Sequence, residues 1–473
     1  MRADSSRSWI GGGIVEDIRI PQGVFSRLYR LPTDRKLAVV YRTPSQLMLQ
    51  LEDDSAEVWQ RLFDAKGDPR PAIEYIRTHG NFSGDPEVEA CQTLTEFIGE
   101  LHANGLLSDA EPISMRIDPS VGNTFDPQRN SVMQVGQIMA DHHILYGLVL
   151  ELTYRCNEKC IHCYLPEQRK GKELSLSQIE DLLDQFISLG GCQVQLTGGE
   201  ALLRKDFPQI LEAVTRRGLI PSIISNLTLL TDRLLQAIVA AAPYSVGCSV
   251  YSAQPELHDA VTKVKGSLAK TIAAARKLRQ HNVPVIFKSP LMRKTAPHWR
   301  EIEALANECD CAYQFDLHIT AQNNGGNNPL AQRVTDPEVL RDIFSSRHYK
   351  LTVNDEPMIE MIGVDPEATI CGAGSSGLAV SPDGTIRPCL GLTSPLGRFP
   401  EVSLESVWRD SPFFAHWASL KLKDIDLCGQ CPKLPWCSKC PGAWQAENGD
   451  PKRPTPYTCQ LAGAWQEAAI SKQ

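Results

Sequence analysis

Three cysteines stand close together in the run LTYRCNEKCIHCYLP, and their spacing is suited to metal chemistry. Cys156, Cys160 and Cys163 are separated by three and then by two residues. Thiolates on such a compact loop can bind three irons of a cubane 4Fe–4S cluster and leave the fourth iron without a protein ligand. A metal with an open position can bind a second molecule. His162 could instead supply a fourth ligand and close a zinc site.

A second group of seven cysteines occupies the C-terminal part of the chain. Its members are Cys371, Cys389, Cys428, Cys431, Cys437, Cys440 and Cys459. The two CxxC pairs within it are typical of a zinc ribbon, but seven thiolates exceed one tetrahedral site and fall one short of two. The remaining five are scattered, and we expect them to be small buried apolar side chains: Cys91, Cys192, Cys248, Cys309 and Cys311.

The elements that must position the first cysteine group alternate between strands and helices. The apolar runs GLVLEL, CQVQLT, PSIISN, YSVGCSV, PVIFKSP and AYQFDLHI are each followed by a polar or amphipathic segment. Six such β/α units predict an α/β fold with a parallel sheet over residues 144–345, a partial TIM-like barrel. In such folds the chemistry gathers at the C-terminal ends of the strands, and the cysteine loop follows the first strand.

Further polar residues follow the later strands of this region. Thr197-Gly198-Gly199-Glu200 comes after the second strand, Ser225 and Asn226 after the third, and Ser249 ends the fourth. Lys288 and His318 lie at the ends of the fifth and sixth strands and are candidate catalytic side chains, although solvated or core roles compete with that interpretation. No catalytic acid or base is assigned from the sequence.

These motifs, in this order on successive strands, resemble the radical S-adenosylmethionine (SAM) superfamily over residues 145–320. The resemblance implies that a GGE motif contacts the methionine amino group and that polar side chains bind ribose and carboxylate; the corresponding residues are Gly198, Gly199, Glu200, Ser225, Asn226 and Ser249. Two glycines would let the backbone approach a ligand closely, and Glu200 would accept from an ammonium. Tyr164 could cover the cluster or the adenine, or pack in the core.

The resemblance also implies a reaction. SAM would be cleaved reductively on the 4Fe–4S cluster with one electron from a low-potential donor, a flavodoxin or a ferredoxin-type protein. The resulting 5′-deoxyadenosyl radical would abstract a hydrogen atom from the substrate. A radical of this kind needs a dry, enclosed site to avoid side reactions.

The C-terminal residues 346–473 resemble the SPASM extension of radical SAM enzymes, which carries two auxiliary 4Fe–4S clusters. The resemblance implies an outer cluster held by Cys428, Cys431, Cys437 and Cys459 and an inner cluster held by Cys371, Cys389 and Cys440. The chain departs from the family pattern by having two residues, not three, before Cys440. The inner cluster also lacks a fourth cysteine, so it is either open to substrate or completed by another ligand. Since periodicity fades here, we expect this fold to depend on metal more than on a large core.

Residues 1–110 predict a winged-helix-like module in which short strands, LAVVYR and QLMLQL, precede three helices. Between residues 26 and 110 it holds 14 acidic and 9 basic side chains, the wrong balance for a DNA-binding surface. Its element order is similar to that of the precursor-peptide recognition element of peptide-modifying radical enzymes, related to the small chaperone of pyrroloquinoline quinone synthesis. The resemblance implies a leader peptide that adds a strand to the sheet edge. Residues 111–143, rich in Asp, Pro, Asn and Ser, are predicted to be a linker.

The overall composition limits location and partners. With 48 basic and 56 acidic residues the net charge is −8, which gives no general attraction to nucleic acid or anionic membranes. Neither a membrane span nor a signal peptide is expected, so the sequence favours the cytoplasm, where thiols stay reduced.

The leading hypothesis is a maturase that crosslinks a ribosomally made precursor peptide, through a thioether or a carbon–carbon bond. Two auxiliary clusters suit a net oxidation, because an electron must leave after the bond forms. A peptide epimerase is the nearest alternative, and a sulfatase-type protein maturase is another, although it would leave the N-terminal module unexplained. A zinc-stabilised regulatory or scaffold protein is the alternative outside enzymes.

Overall fold

The chain folds into two compact units. The computed structural model describes residues 7–10, 13–16, 18–21, 23–42, 47–103, 106–107, 130–166, 171–346, 349, 352–353, 356–357, 366–425 and 427–470. One unit comprises Met1–Met115 with Ser131–Val135, and the other comprises Arg116–Asn130 with Gly136–Gln473. Most of the linker predicted for residues 111–143 falls on 108–129, outside the described residues.

The N-terminal unit contains a hairpin, a small sheet and three helices. The strands are β1 (Arg7–Ile10), β2 (Gly13–Glu16), β3 (Val24–Arg30), β4 (Lys36–Arg42) and β5 (Leu47–Glu52), and the helices are α1 (Asp53–Asp64), α2 (Arg70–His79) and α3 (Pro86–Ala103). β3, β4 and β5 form an antiparallel sheet in that order. The three predicted helices are present. β3 was not predicted, because its residues are mostly half-buried and give little alternation.

The helices of this unit pack on the sheet through apolar side chains. α1 buries Val58, Trp59 and Leu62, which lie at helical spacing. The indole nitrogen of Trp59 donates to the Ser26 hydroxyl at 3.0 Å and so ties α1 to β3. These contacts give the unit a core of its own.

The second unit is built on one long sheet. Its first six strands are β6 (Gly147–Glu151), β7 (Gln193–Thr197), β8 (Ile220–Ser225), β9 (Ser245–Ser249), β10 (Val285–Pro290) and β11 (Ala312–Asp316). All six are parallel and adjacent in chain order, as predicted. The described sheet does not close on itself: β11 is one end, and beyond β6 it continues into strands from the C-terminal region.

Helices connect and flank these strands. They are α4 (Asn130–Asp141), α5 (Leu176–Ser188), α6 (Phe207–Arg216), α7 (Asp232–Ala241), α8 (Pro255–Thr262), α9 (Ser267–Gln280), α10 (Trp299–Glu308) and α11 (Pro337–Phe344). α4 lies within the predicted linker, and Val135 and Met139 are buried among those of its residues whose burial is described. α8 was not predicted; it has eight residues, too few for a clear period.

The C-terminal region adds three strands to the same sheet. Its elements are β12 (Thr352–Val353), β13 (Glu356–Pro357), β14 (Gly377–Val380), β15 (Thr385–Arg387), β16 (Gly397–Arg398), α12 (Leu404–Asp410), α13 (Pro412–Ser419), α14 (Pro441–Asn448) and α15 (Pro456–Ile470). β14 pairs with β6 in parallel, and β15 and β16 follow in antiparallel pairing. The C-terminal strands are therefore part of the same sheet as the β/α units.

This region has more apolar core than its composition predicts. Leu404, Trp408 and Leu461 belong to the same core as the parallel strands. A smaller cluster around Trp417 and Trp444 lies among the tail cysteines. The 15-residue helix α15 was missed because its alanine-rich sequence has weak periodicity. In the described part of the chain, no helix is long and apolar enough to cross a membrane.

Candidate active site

The cysteine loop lies directly after β6, at the carboxyl end of the parallel strands. Two hydrogen bonds hold its backbone. The amide of Lys159 donates to the carbonyl of Thr262 at 2.9 Å, and that of Ile161 donates to the carbonyl of Val261 at 3.1 Å. Both carbonyls belong to the end of α8, so the helix that the sequence did not predict positions the loop.

The three thiols of this loop are suited to an iron–sulfur cluster. Cys156 is exposed, while Cys160 and Cys163 are half-buried. Tyr251 donates to the Cys160 sulfur at 3.6 Å, and burial raises the pKa of Cys160, so that its thiolate needs a metal to stabilise it. Among the described residues no three Cys, His, Asp or Glu side chains stand close enough to bind one metal ion. Thiolates that bind different irons of a cubane need not approach so closely.

The two glycines of the GGE motif let the motif pack against the cysteine loop. The amide of Gly199 donates to the carbonyl of Thr153 at 2.6 Å. A Cβ on Gly198 would lie 2.3 Å from that oxygen, and one on Gly199 would lie 2.5 Å from the carbonyl oxygen of Arg155. That these glycines also let the backbone approach a ligand stays a prediction. The close neighbour that the structure shows is protein backbone.

Glu200 joins three of the predicted SAM-binding positions. Its side chain is 1% exposed. One carboxylate oxygen accepts from the Ser225 hydroxyl at 2.7 Å and from the Leu202 amide at 2.9 Å, and the other accepts from the Asn226 amide at 2.7 Å. Burial raises the pKa of Glu200, and these bonds oppose the rise. Three of about four acceptor positions are thus used by the protein.

Asn226 and Ser249 are connected to the cysteine loop by different routes. The side-chain Nδ2 of Asn226 donates to the side-chain oxygen of Asn157, which lies within that loop, at 2.9 Å. Ser249 ends β9, two strands from β7. Its hydroxyl bonds to Tyr251, whose own hydroxyl contacts Cys160. The structure therefore brings Ser225 and Asn226 to Glu200, and it places Ser249 on the Cys160 side.

A buried carboxylate at the end of β6 was not singled out from the sequence. Glu151 is fully buried and accepts from the hydroxyls of Tyr164 at 2.8 Å and Tyr154 at 3.1 Å. It also pairs with Arg387 of β15, which is equally enclosed. Tyr164 was predicted to cover a cofactor or to pack in the core, and its hydrogen bond to Glu151 leaves both roles as predictions. A glutamate that ends an apolar strand, as in GLVLE, was the available signal.

The effects of the seven C-terminal thiols on one another's pKa fall into two sets. Burial raises the pKa of Cys371, and the charges of Cys389 and Cys440 add to the rise. Burial also raises the pKa of Cys437 to about 11, where Cys428, Cys459 and Cys431 contribute. The positive charge of Lys439 acts in the opposite direction on thiols of both groups, namely Cys371, Cys428 and Cys437.

The other two candidate side chains have defined partners. The Lys288 ammonium donates to the side-chain oxygen of Gln314. Burial lowers the pKa of Lys288, and Asp316 opposes that shift. Nδ1 of His318 lies 3.2 Å from a carboxylate oxygen of Asp316, a residue that the sequence analysis did not select. Asp316 ends β11, where buried and exposed side chains alternate. In the sequence it therefore looked like an ordinary solvent-facing strand position.

Comparison with known families identifies two domains within this geometry. The radical SAM superfamily model matches residues 150–306, and the model of the SPASM iron–sulfur cluster-binding domain matches residues 371–441. The chain carries a radical SAM domain and a SPASM domain. It is an enzyme, and SAM and 4Fe–4S clusters are its cofactors.

Individual relatives of these radical SAM and SPASM domains are known. The chain is 26% identical over 334 residues to the antilisterial bacteriocin subtilosin biosynthesis protein AlbA of Bacillus subtilis, covering 66% of this chain and 73% of AlbA. It is 27% identical over 281 residues to the PqqA peptide cyclase of Ruegeria pomeroyi, covering 57% and 75%. The structure of SuiB from Streptococcus suis bound to precursor peptide SuiA shares the fold with a TM-score of 0.59 at 17% identity, covering 93% of this chain and 99% of SuiB.

Proposed function

We propose that this radical SAM enzyme is a maturase of a ribosomally made peptide and that it forms a thioether or carbon–carbon crosslink. The observation that carries the proposal is that one continuous sheet joins the region of the three-thiol loop to the region of the seven C-terminal thiols. The proteins that this chain is similar to support a peptide substrate: AlbA is named for subtilosin biosynthesis, and the PqqA peptide cyclase for its peptide.

Cys156, Cys160 and Cys163 would hold the catalytic cluster. When bound, the cluster and SAM would supply the radical chemistry that removes a hydrogen atom from a C–H bond of the peptide. Gly198, Gly199, Glu200, Ser225, Asn226 and Ser249 would line the SAM site. In this assignment the side chain of Glu200 mainly fixes Ser225 and Asn226, because three of its acceptor positions are already used. The backbone of the GGE segment, which its glycines hold against the cysteine loop, would then face the cofactor.

The C-terminal thiols would hold two auxiliary 4Fe–4S clusters. The outer set is Cys428, Cys431, Cys437 and Cys459, and the inner set is Cys371, Cys389 and Cys440. The grouping of their mutual effects on pKa supports this division. An auxiliary cluster would accept the electron that leaves when a crosslink forms. A flavodoxin or a ferredoxin-type protein in the cytoplasm would supply the electron that starts each turnover.

The N-terminal unit would be a precursor-peptide recognition module of the winged-helix type. Its sheet ends at β3 and β5, so an extended leader peptide could add a strand there. Leu47, Leu49 and Leu51 of β5 pack against the core of the unit, and the part of each side chain that stays exposed would offer apolar contact along that edge. A cavity of about 280 Å³ among the helices is lined by Val58, Tyr75, Ile76, Phe82 and Phe97, which suits an apolar side chain. Tethering the leader would raise the local concentration of the core peptide.

Coexpression with a candidate precursor peptide, sought as a short reading frame next to the gene, tests the function. A crosslink lowers the peptide mass by two hydrogens per event, whereas epimerisation leaves the mass unchanged and takes up deuterium from heavy water. Three cubanes hold about twelve irons, so anaerobic reconstitution should approach that number, and fewer than about eight irons per chain would count against the proposal. About two zinc ions and no iron would instead indicate a scaffold protein, and no 5′-deoxyadenosine from the reduced enzyme with peptide would refute the proposal.

A further inference from the structure

The loop that follows β11 carries two polar side chains with unpaired, buried atoms. Within the described residues, Nε2 of His318 and Nδ2 of Asn323 are shielded from solvent and make no hydrogen bond. An unpaired buried polar atom costs about 1–3 kcal/mol, so native proteins keep few of them without a functional reason. These two atoms are therefore places where a bound molecule would complete the hydrogen bonding.

Asp316 sets the orientation of the His318 ring. One carboxylate oxygen of Asp316 accepts from the backbone amide of His318 at 2.7 Å, and the same oxygen lies 3.2 Å from Nδ1 of the imidazole. Because a carboxylate only accepts, Nδ1 carries the proton. In the neutral ring Nε2 then has a free lone pair. A base whose tautomer is fixed by a carboxylate is ready to receive a proton.

The backbone around His318 is held on both sides. The hydroxyl of Tyr457 donates to the carbonyl of Leu317 at 3.1 Å, and Nε of Arg333 donates to the carbonyl of Ile319 at 2.9 Å. Arg333 is fixed in turn by two bonds to Glu447, of 2.6 and 3.2 Å. His318 therefore sits in a segment that elements of the C-terminal region keep in place, as a reacting group requires.

The Asp316–His318 pair lies near the cysteine loop. The negative charge of Asp316 acts on His162, which stands between Cys160 and Cys163. The backbone amide of Asn323 donates to the carbonyl of Tyr164 at 2.9 Å, and Tyr164 directly follows Cys163. Within the described residues, the charge of Asp316 also acts on Lys288, Tyr349 and Tyr457. Lys288 is a hydrogen-bond donor to Gln314, so it is not the acceptor that this site offers.

We propose that His318, oriented by Asp316, is the base that accepts the proton released when the peptide crosslink forms. This inference rests on the proposed function and deepens it. For a thioether, a C–H bond and an S–H bond break and one C–S bond forms. The peptide loses a hydrogen atom to the product of SAM cleavage, an electron to an oxidised 4Fe–4S cluster and a proton to Nε2 of His318. A carbon–carbon crosslink releases a proton in the same way.

The first test compares His318→Gln with His281→Gln, a matched change at an exposed histidine after α9. Both variants should incorporate iron and form 5′-deoxyadenosine with peptide within about threefold of the wild type. His318→Gln should lower the crosslinked product by about 100-fold or more, the usual contribution of a general base. Asp316→Asn should lower it less, because the base remains but its tautomer is no longer fixed. A His318→Gln variant that makes product at the wild-type rate overturns the proposal.

The second test needs no turnover and therefore separates this proposal from the proposed function. Histidine-selective NMR of the full-length protein should show the proton of neutral His318 on Nδ1. Asp316→Asn should shift the ring-nitrogen resonances of His318 and lower the share of the Nδ1-protonated form, because an amide oxygen is a weaker acceptor than a carboxylate. Ring-nitrogen resonances that stay unchanged in Asp316→Asn overturn the pairing, even if no tested peptide is modified. A wild-type enzyme that only epimerises its peptide also overturns the base, since that reaction releases no proton.

Discussion

The carboxylate of Glu151 and the guanidinium of Arg387 form a buried ion pair between the first parallel strand and the C-terminal hairpin. The two side chains are 0% and 5% exposed, and 236 residues of sequence separate them. Glu151 immediately precedes the cysteine loop segment and holds Tyr164, which follows Cys163. Arg387 stands two residues before Cys389. The pair therefore fixes the position of one cysteine-bearing segment relative to another.

Removing the positive partner of this pair should destabilise the second unit. We expect Arg387→Met to lower the free energy of unfolding by about 3–5 kcal/mol, because Glu151 is left as an uncompensated buried charge. Adding Glu151→Gln should recover part of that loss, since an amide needs no counter-charge. Arg398→Met on the neighbouring strand removes an exposed ion pair with Asp383 and should cost less than about 1 kcal/mol. Denaturant unfolding measures these variants together with Glu151→Gln alone, and a double variant that loses the sum of the two single changes would show no coupling.

Gly199→Ala should disturb the cysteine loop without touching a cysteine. The new Cβ would lie 2.5 and 2.8 Å from the carbonyl oxygens of Arg155 and Tyr154, so backbone has to move. We expect a loss of about 1–3 kcal/mol in stability, as for other overpacked sites, together with reduced iron binding by the loop. Gly136→Ala is the control, because its Cβ would meet nothing within 4 Å. Denaturant unfolding and iron analysis of both variants test this prediction. Equal stability and equal iron content in Gly199→Ala and Gly136→Ala would show that Gly199 does not need its close packing.

The ionisation of Asp206 should make the free energy of unfolding depend on pH. It bonds to the buried Arg204 guanidinium at 2.6 and 2.8 Å, and this contact lowers the pKa of Asp206 below 3.8. The carboxyl is bound more strongly when ionised in the folded state, so its contribution is present above the unfolded pKa and is lost as pH falls through the folded value. Asp206→Asn should therefore be less stable than the wild type at pH 7, by about 1–2 kcal/mol. The difference should shrink below about pH 4.

The measurement for Asp206 is denaturant unfolding of both proteins between pH 3 and pH 7. Arg204 also donates to the carbonyls of Leu152 and Leu174. Weakening its contact with Asp206 should therefore also weaken the attachment of the backbone that leads into the cysteine loop. A wild-type advantage that stays constant across this pH range would mean that Asp206 does not act through its charge.

Lys439 should influence the reduction potential of both groups of C-terminal thiols. Its charge lowers thiol pKa values in each group, and a positive charge near a cluster favours the reduced form. Lys439→Met should shift the auxiliary potentials to more negative values by an amount on the order of tens of millivolts, as one partly screened charge would. Lys452→Met, at an exposed position, should leave them unchanged. Redox titration followed by EPR tests this, and a shift confined to one cluster would show that Lys439 does not act on both.

Much of the scaffold follows directly from the sequence. The six parallel strands were predicted from their apolar runs, and the helices of the N-terminal unit from apolar residues at helical spacing. The position of Cys156, Cys160 and Cys163 after the first strand was predicted for the same reason. Short or weakly periodic elements were not: β3, α8 and α15 depend on tertiary contacts that no local pattern records.

The site was only partly predictable. Spacing identified the cysteines and the GGE motif, but it could not show that Gly199 packs on Arg155 or that Glu200 is bound by Ser225 and Asn226. Such contacts join residues far apart in the chain, and a single sequence carries no signal for them. Glu151 and Asp316 were missed for a related reason, since a charged residue at the end of a strand looks like ordinary solvent exposure.

The parallel pairing of β14 with β6 has a practical consequence for dissecting this enzyme. A protein truncated after residue 345 would expose the backbone of β6, a central strand, as a new sheet edge beside the cysteine loop. Bare edges of this kind recruit other chains and promote aggregation. The catalytic half is thus not a separable module, and its chemistry has to be dissected by point substitution in the intact polypeptide.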